Sequence, residues 1–190
     1  MKKLFLFFVA LSLSAATFAQ TKWTTDPMHS FVNFEVRHMG ISFVNGAFHK
    51  FSGTIEASKA DLTDAKINFT VDVNSISTTV EMRDKHLKSD DFFNAEKYPE
   101  MTFVSTSFKK LKDNNYELNG KLTIRDVTKD VKFNVVYGGT AKNQQGGTIA
   151  GFQASTTIDR TAFNIKYDPT GMAVAKDIKI NLNLEFAQAK

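Results

Sequence analysis

Ile178–Phe186 reads IKINLNLEF, and its apolar side chains fall on every second position. The same period of two occurs in Lys66–Val73, KINFTVDV, and in Tyr116–Arg125, YELNGKLTIR. In an extended chain successive side chains point to opposite faces, so this alternation is typical of strands with one buried and one solvated face. Half-buried strands of this kind are characteristic of antiparallel sheets.

Further segments with the same or a weaker alternation bring the number of predicted strands to eight to ten. These segments are Lys22–Asp26, Ser30–His38, Ala47–Ala57, Met101–Phe108, Val131–Tyr137 and Thr148–Ile158. The predicted turns are Asp113–Asn115, Asp126–Asp130 and the long loop Gly138–Gly147. No strand–helix–strand pattern of a parallel sheet is present, which leaves an antiparallel barrel or sandwich. An eight-stranded barrel either fills with side chains or holds one small ligand, and the period of two does not separate these cases.

One stretch, Thr78–Ser89, has a helical pattern instead. Thr78 and Glu81 have the spacing of a capping box, in which each side chain binds a free backbone N–H of the first turn. Phe92 and Phe93 follow directly. We therefore predict a short helix that covers one end of the barrel with both Phe rings facing inward, and a second irregular piece at Met39–Asn45.

The N-terminus has the layout of a secretory signal. Lys2 and Lys3 precede the mostly apolar stretch Leu4–Ala16, and Ala19 provides a small residue before a cleavage site. We predict a signal peptide at residues 1–19, a single mature domain at 20–190, and a periplasmic or secreted location. Removal of the two lysines lowers the formal charge from +4 to +2, which does not favour nucleic-acid binding. The chain has no Cys, which excludes disulfides, thiolate metal sites and cysteine catalysis.

Several motifs in a fixed order resemble those of the YceI family, periplasmic proteins that bind lipids or polyisoprenoids. They are Trp23 with DPMHS at 26–30, RDKHLKSDDFF at 83–93, YP at 98–99, GKLTIR at 120–125, and Asp159-Arg160 with Phe163. The resemblance covers Thr21–Phe186. It implies an all-β, antiparallel, lipocalin-like barrel of about eight strands with a short capping helix, and an elongated apolar cavity for an isoprenoid-type lipid.

Two positions depart from that family pattern. Asp126 and Asn164 stand where the family usually has Gly. Asn and Asp tolerate a positive φ better than other non-Gly residues, so we expect both turns to survive.

Most candidate ligand-binding residues lie at the alternate strand positions that face inward, and the others follow the helix. They are Phe34, Val36, His38, Phe69, Val71, Phe92, Phe93, Phe103, Phe133, Tyr137, Ile180 and Leu182. In a filled barrel these residues form the core; in a ligand-binding barrel they line the cavity, which is the case that the resemblance implies. His38 and Tyr137 are the candidate contacts for a quinone or similar head group, although His38 also suits a hydrogen-bonded core position.

The sequence favours a binding protein over an enzyme. The four His have no metal-ligand spacing, and no nucleophile elbow or phosphate loop occurs. We expect no catalytic residue, no metal and no cofactor besides a bound isoprenoid-type lipid. Two alternatives stay open: an enzyme acting on such a lipid, with Arg83, His38 and Asp84 as candidates, and a filled barrel that serves as an interaction protein. A homodimer and transient contact with a membrane are compatible with the sequence.

Overall fold

The computed structural model describes residues 20–189. The predicted signal peptide, residues 1–19, lies outside the described residues. The strands are β1 (Thr21–Thr25), β2 (Phe31–His38), β3 (Ser42–Phe48), β4 (Phe51–Ala57), β5 (Lys66–Asp72), β6 (Ile76–Ser77), β7 (Glu100–Lys110), β8 (Asn115–Ile124), β9 (Val127–Lys142), β10 (Thr148–Asp159) and β11 (Val174–Gln188). One α-helix, α1 (Glu81–Lys88), and two 3-10 turns, Val73–Ser75 and Arg160–Phe163, complete the described elements.

Eight strands close an antiparallel barrel in the order β1, β4, β5, β7, β8, β9, β10 and β11. Pairing of Trp23 with Gln188 joins β11 back to β1. β2 pairs with the first part of β11, β3 pairs with β2, and β6 pairs with β3, so these three strands lengthen the wall at one end. The predicted all-β antiparallel barrel with one short helix is confirmed.

β1 and β2 lie one after the other along the same neighbouring strand, β11, and a bend separates them. Both pair with β11, and the five residues Asp26–Ser30 separate them. Pro27 lacks a backbone donor, so this segment cannot continue the ladder. The Ser30 hydroxyl replaces the missing pairing, because it accepts a hydrogen bond from the N–H of Glu185 at 2.9 Å and donates to its carbonyl.

Three connections differ from the sequence-based predictions. Met39–Asn45 is mostly strand, because a tight turn with positive φ at Met39 and Gly40 lets β3 begin at Ser42. The prediction of a long loop at Gly138–Gly147 is also wrong, because β9 continues to Lys142. A bulge between Gly151 and Phe152 shifts the register of β10 against β9 at this point. β9 begins at Val127, so the predicted turn Asp126–Asp130 is strand after its first residue.

The predicted capping box at the start of α1 is wrong as well. The helix begins at Glu81, three residues after Thr78, and its N-cap Val80 makes no side-chain hydrogen bond. The carboxylate of Asp84 instead ties the helix to the preceding segment, since it accepts from the Thr78 N–H at 2.7 Å and from the Thr78 hydroxyl. Within residues 20–189, no helix has the length and apolar character needed to cross a membrane.

An apolar cavity as candidate functional site

The inward faces of the strands enclose an apolar cavity of about 140 Å³. Its lining is apolar except for Asn33 and Thr102. The lining residues are Val32, Asn33, Phe34, Phe48, Ile55, Ile67, Phe69, Val71, Met101, Thr102, Phe103, Phe108, Leu118, Leu122, Ile124, Phe133, Val135, Phe152, Ala154, Ile180, Leu182, Leu184 and Phe186. Leu118 and Ile124 both line it from β8, which gives a length of about 20 Å at ~3.3 Å per residue.

Three Phe rings of the lining lie against glycines of neighbouring strands, and this explains why the barrel is not filled. A Cβ atom at each glycine would lie far inside contact distance of a ring atom. The separations are 2.2 Å for Gly46 and Phe34, 2.4 Å for Gly53 and Phe69, and 2.3 Å for Gly120 and Phe103. Each ring therefore occupies space at the wall that a side chain would otherwise take, and the barrel axis stays open.

The end of the barrel opposite the helix is closed by side chains. Leu62 and Ala65, in the loop after β4, are buried, as are Trp23 on β1 and Tyr116 on β8. The Tyr116 hydroxyl donates to the carbonyl of Asp61 at 3.0 Å, which fixes this loop across the barrel end. Burial raises the pKa of Tyr116, so this hydroxyl stays a donor at neutral pH.

The backbone pairing of the wall is interrupted between β5 and β7. Their backbone ladder stops at Asn68 and Val104, and the N–H of Ile67 donates to the Ser105 hydroxyl instead. A depression lined by both polar and apolar side chains lies outside this gap. Ile67 and Phe108 line both this depression and the cavity, so these two apolar side chains separate the cavity from solvent here.

At the helix end the cavity adjoins a second pocket, which we call the mouth pocket. It has a volume of about 290 Å³, and Phe34 lines both spaces. Its lining combines apolar and polar side chains from four segments: Phe34, Val36, Arg37, His38, Val44, Thr78, Arg83, His86, Leu87, Phe92, Tyr167 and Val174. No carboxylate lines it within the described part of the chain, so its charged lining groups are cationic.

Local hydrogen bonds hold the polar groups of the mouth pocket in place. Arg83 donates from Nε to the Thr78 hydroxyl at 2.7 Å and from Nη2 to the Thr78 carbonyl at 2.8 Å. His86 lies 2.8 Å from Asp91 and packs edge-on against the rings of Phe92 and Tyr167, with centroids 5.1 and 5.0 Å away. The guanidinium and the imidazole are therefore oriented before any ligand arrives.

Two arginines fix the loops around the mouth pocket, and sequence reasoning missed both roles. Arg160 is buried and donates to five backbone carbonyls in the loop before β11 and in the first residues of β11. The acceptors are Ile165, Tyr167, Asp168, Val174 and Ala175. Arg125 similarly donates to the carbonyls of Asp90, Phe92 and Asn164. Burial lowers the pKa of Arg160, but a guanidinium stays charged in the physiological range. The only signal in the sequence was that both arginines lie in the motifs shared with the YceI family.

The structure divides the predicted ligand-binding residues into three groups. Seven line the cavity: Phe34, Phe69, Val71, Phe103, Phe133, Ile180 and Leu182. Val36, His38 and Phe92 line the mouth pocket, and His38 is exposed, so the core alternative for this histidine is wrong. Two residues line neither space. Phe93 packs edge-on against Phe48, and Tyr137 stacks on Phe152 and contacts Tyr116 at the closed end.

The prediction also omitted cavity residues that the same parity rule would have found. Ile67 precedes Phe69 by two positions on β5, and Leu184 and Phe186 continue the series of Ile180 and Leu182 on β11. Phe108 was harder to find, because a register shift between Ser105 and Ser107 changes the parity along β7.

One group of potential metal ligands occurs among residues 20–189. Oxygen and nitrogen atoms of Asp26, His29 and Glu185 lie within 4.8 Å of one another at the bend between β1 and β2. His29 is hydrogen-bonded to Asp26 at 2.8 Å, which raises the pKa of the histidine and lowers the pKa of the aspartate. The hydrogen bond between His29 and Asp26 therefore explains why these side chains lie together in a solvent-facing turn.

The YceI-like domain model matches residues 23–186, which include every strand from β2 to β10, the last three residues of β1 and nearly all of β11. The chain belongs to the YceI-like family. Protein YceI of Salmonella arizonae is 37% identical over 194 residues, covering 100% of both chains. Among solved structures, BcnA of Burkholderia cenocepacia has a TM-score of 0.75 and 28% identity over 85% of this chain and 98% of its own. A polyisoprenoid binding domain from Saccharophagus degradans, implicated in plant cell wall breakdown, shares the YceI-like fold with a TM-score of 0.62 at 16% identity over 88% of this chain and 98% of its own.

Proposed function

We propose that this YceI-like protein binds a long apolar lipid of the isoprenoid type and carries it outside the cytoplasm. The observation that supports this most is the apolar cavity, about 20 Å long by strand rise, whose Phe rings lie on glycines at the wall. The fold neighbour described as a polyisoprenoid binding domain supports the same ligand class.

Binding rests on transfer of the lipid tail out of water. Each buried CH₂ contributes about 0.8 kcal/mol, so a long tail binds tightly with few polar contacts. A cavity near 140 Å³ is of the size that holds a benzene-sized guest, so a long tail must widen it. Ile180 and Leu182 are only half-buried although they line the cavity, and they are side chains that can rotate to make room.

The lipid enters tail first from the helix end, with its polar head in the mouth pocket. The opposite end is closed by Leu62, Trp23 and Tyr116. The mouth pocket offers the Arg83 guanidinium, and the imidazoles of His38 and His86, as partners for head-group oxygens. Of the two head-group contacts predicted from the sequence, His38 suits this orientation, whereas Tyr137 lies at the closed end.

A binding role also accounts for the polar groups that an enzyme would use. Asp84 is engaged by the N–H and hydroxyl of Thr78, and Arg83 binds the same residue. Both side chains therefore hold the start of α1 in place. A general acid or base needs a free position near the reacting atom, and Asp84 does not offer one.

The proposed location outside the cytoplasm rests on the Lys2-Lys3, apolar and Ala19 pattern of residues 1–19. N-terminal sequencing of the protein from its native compartment tests it, and we expect the mature chain to begin at Gln20. A cytosolic protein that retains Met1 would contradict export.

Mass spectrometry of a solvent extract of the purified protein tests the function. We expect an isoprenoid lipid in the native protein and none in Phe69→Asp, because a carboxylate in the apolar cavity has no partner. Phe31→Asp is the matched control: Phe31 lies exposed on β2, so this variant should keep the lipid. The proposal fails if the native protein carries no lipid and also does not bind an added isoprenoid quinone.

A further inference from the structure

Seven exposed apolar side chains surround the mouth pocket, and we call them the apolar rim. They are Met39, Ile41 and Phe43 in the β2–β3 hairpin, Val80 and Met82 at the start of α1, and Tyr167 and Met172 before β11. The three most prominent are Ile41, Met82 and Met172, which are 89%, 81% and 79% exposed. Exposed side chains of this size are costly in water, and clusters of them mark interaction sites.

Two contacts join the last loop to the other two segments of the rim. The N–H of Met39 donates to the carbonyl of Ala173 at 2.8 Å, which joins the hairpin to the last loop. The ring of Tyr167 packs on His86, which joins that loop to α1. The lining residues His38, Val44 and Arg83 each directly adjoin a rim residue in sequence.

The charges near the rim are mainly cationic. Arg37 lies over the ring of Phe43 at 5.3 Å, and α1 adds Lys85 and Lys88. Among the carboxylates, Asp84 is held by Thr78, and Asp168 is held by N–H groups that follow it, whereas Glu81, between Val80 and Met82, is exposed. Apolar tips flanked by Lys and Arg are the pattern of segments that dip into an anionic lipid surface.

We propose that the apolar rim docks the protein on a lipid bilayer with the mouth pocket facing the membrane. This inference rests on the proposed lipid-carrier function and deepens it, because it names the surface with which the cavity exchanges its ligand. Ile41, Met82 and Met172 lie on three separate segments with the mouth between them. A fluid bilayer can surround each tip and still leave the mouth open to the acyl-chain region, so a lipid tail passes between membrane and cavity without crossing water.

Vesicle flotation tests the docking with the chain from Gln20 to Lys190, which contains every described element. The probes are vesicles of phosphatidylcholine, with and without phosphatidylglycerol. The rim variant combines Ile41→Ser, Met82→Ser and Met172→Ser. The control variant combines Met28→Ser, Phe31→Ser and Leu111→Ser, three exposed apolar residues on other segments.

We expect the native chain and the control variant to float with the vesicles, and more strongly with phosphatidylglycerol. The rim variant should partition about a hundredfold more weakly, since three apolar side chains no longer enter the membrane. Flotation of the rim variant at the native level overturns the docking surface, and so does an equal loss in the control variant.

The lipid content of the same samples separates this proposal from the function on which it rests. A rim variant that retains bound isoprenoid but does not float supports both. A native chain that carries and binds no isoprenoid, yet floats through the rim, refutes the carrier function and leaves the docking surface intact. As an independent check, a Trp at position 41 (Ile41→Trp) should be quenched by brominated acyl chains, whereas Met28→Trp should not.

Discussion

Gly53 on β4 lies directly beneath the ring of Phe69 on β5, so closely that a Cβ atom on Gly53 would be 2.4 Å from Phe69 Cδ2. The two residues are cross-strand partners on the inward face of the wall. Gly46 with Phe34 repeats the pairing, and its ring is likewise at the wall. The lumen therefore depends on glycines that leave room for aromatic rings at the wall.

Gly53→Ala should reduce the capacity of the cavity. The new methyl group must push the Phe69 ring toward the barrel axis, because its second neighbour, the Thr25 hydroxyl, is held 3.1 Å from the Gly53 carbonyl. We expect less co-purifying lipid by mass spectrometry and a stability loss of about 1–3 kcal/mol in urea unfolding. Gly151→Ala is the control, since no atom lies within 4 Å of a Cβ at that strand position. Unchanged lipid content in Gly53→Ala would show that ring placement does not set the cavity.

The period of two was sufficient to predict the fold class. The alternation in KINFTVDV and IKINLNLEF reports the burial that each strand experiences, so β5 and β11 were predictable from local sequence. Glycine misled the prediction at Gly138 and Gly139, where β9 continues. Gly is usually found in turns, but here both glycines lie near a bulge at the end of a long strand pair. Only the pairing of β9 with β10 reveals this bulge.

The site was less predictable, because it depends on contacts between distant segments. Parity assigned Phe34 and Phe69 to the interior, yet the glycines beneath them are recognised only when the register of β3 and β4 is known. His38 and Tyr137 share inward parity but lie at opposite ends of the barrel, so parity alone could not say which one is near the mouth.

Substitution of Arg160 should destabilise the loop that borders the mouth pocket more than any other single substitution there. Arg160→Met removes donors from five carbonyls and leaves several of them without a partner in a buried site. We expect a loss of about 3–5 kcal/mol in unfolding free energy, as for a broken buried charge network. Hydrogen exchange should show faster exchange for residues 161–175 than for β8. Arg37→Met, which alters an exposed arginine, should change stability by under about 0.5 kcal/mol.

The same loop should loosen in acid through Asp168. Hydrogen bonds from the Thr170 hydroxyl and from the N–H groups of Val174, Ala173 and Gly171 lower the pKa of Asp168 from 3.8 to about 2. A lowered pKa in the folded state gives stability that is fully present above pH 3.8 and is lost as the pH falls toward 2.

Asp168→Asn should therefore flatten the dependence of the unfolding temperature on pH in this window, measured by circular dichroism. It should be less stable than the native chain at neutral pH. Asp177→Asn, at an exposed site on β11, should keep the native dependence. If the unfolding temperature of Asp168→Asn depends on pH as it does in the native chain, the acid sensitivity belongs to other carboxylates.

Asp126 and Asn164, the two departures from the family pattern, are bonded to each other. Asn164 Nδ2 donates to Asp126 Oδ1 at 3.1 Å, and the bond lowers the pKa of Asp126. Asn164 has φ of 61° and ends the second 3-10 turn, as a glycine would, whereas the positive φ near Asp126 belongs to Arg125 at 55°. Both turns are therefore formed, as expected, but of these two residues only Asn164 itself adopts the left-handed region.

This arrangement separates a backbone effect from a hydrogen-bond effect. Asn164→Ala loses both the bond and the tolerance of positive φ, so we expect a loss of about 1–3 kcal/mol in unfolding free energy. Asn164→Gly loses only the bond and should cost under about 1 kcal/mol, because the contact is exposed to solvent and glycine suits the backbone. In a double-mutant cycle with Asp126→Ala, the Asn164→Gly substitution should then cost less than it does in the native chain. Equal costs in both backgrounds would mean that the side chains do not interact, and that Asn164 is tolerated for its backbone conformation alone.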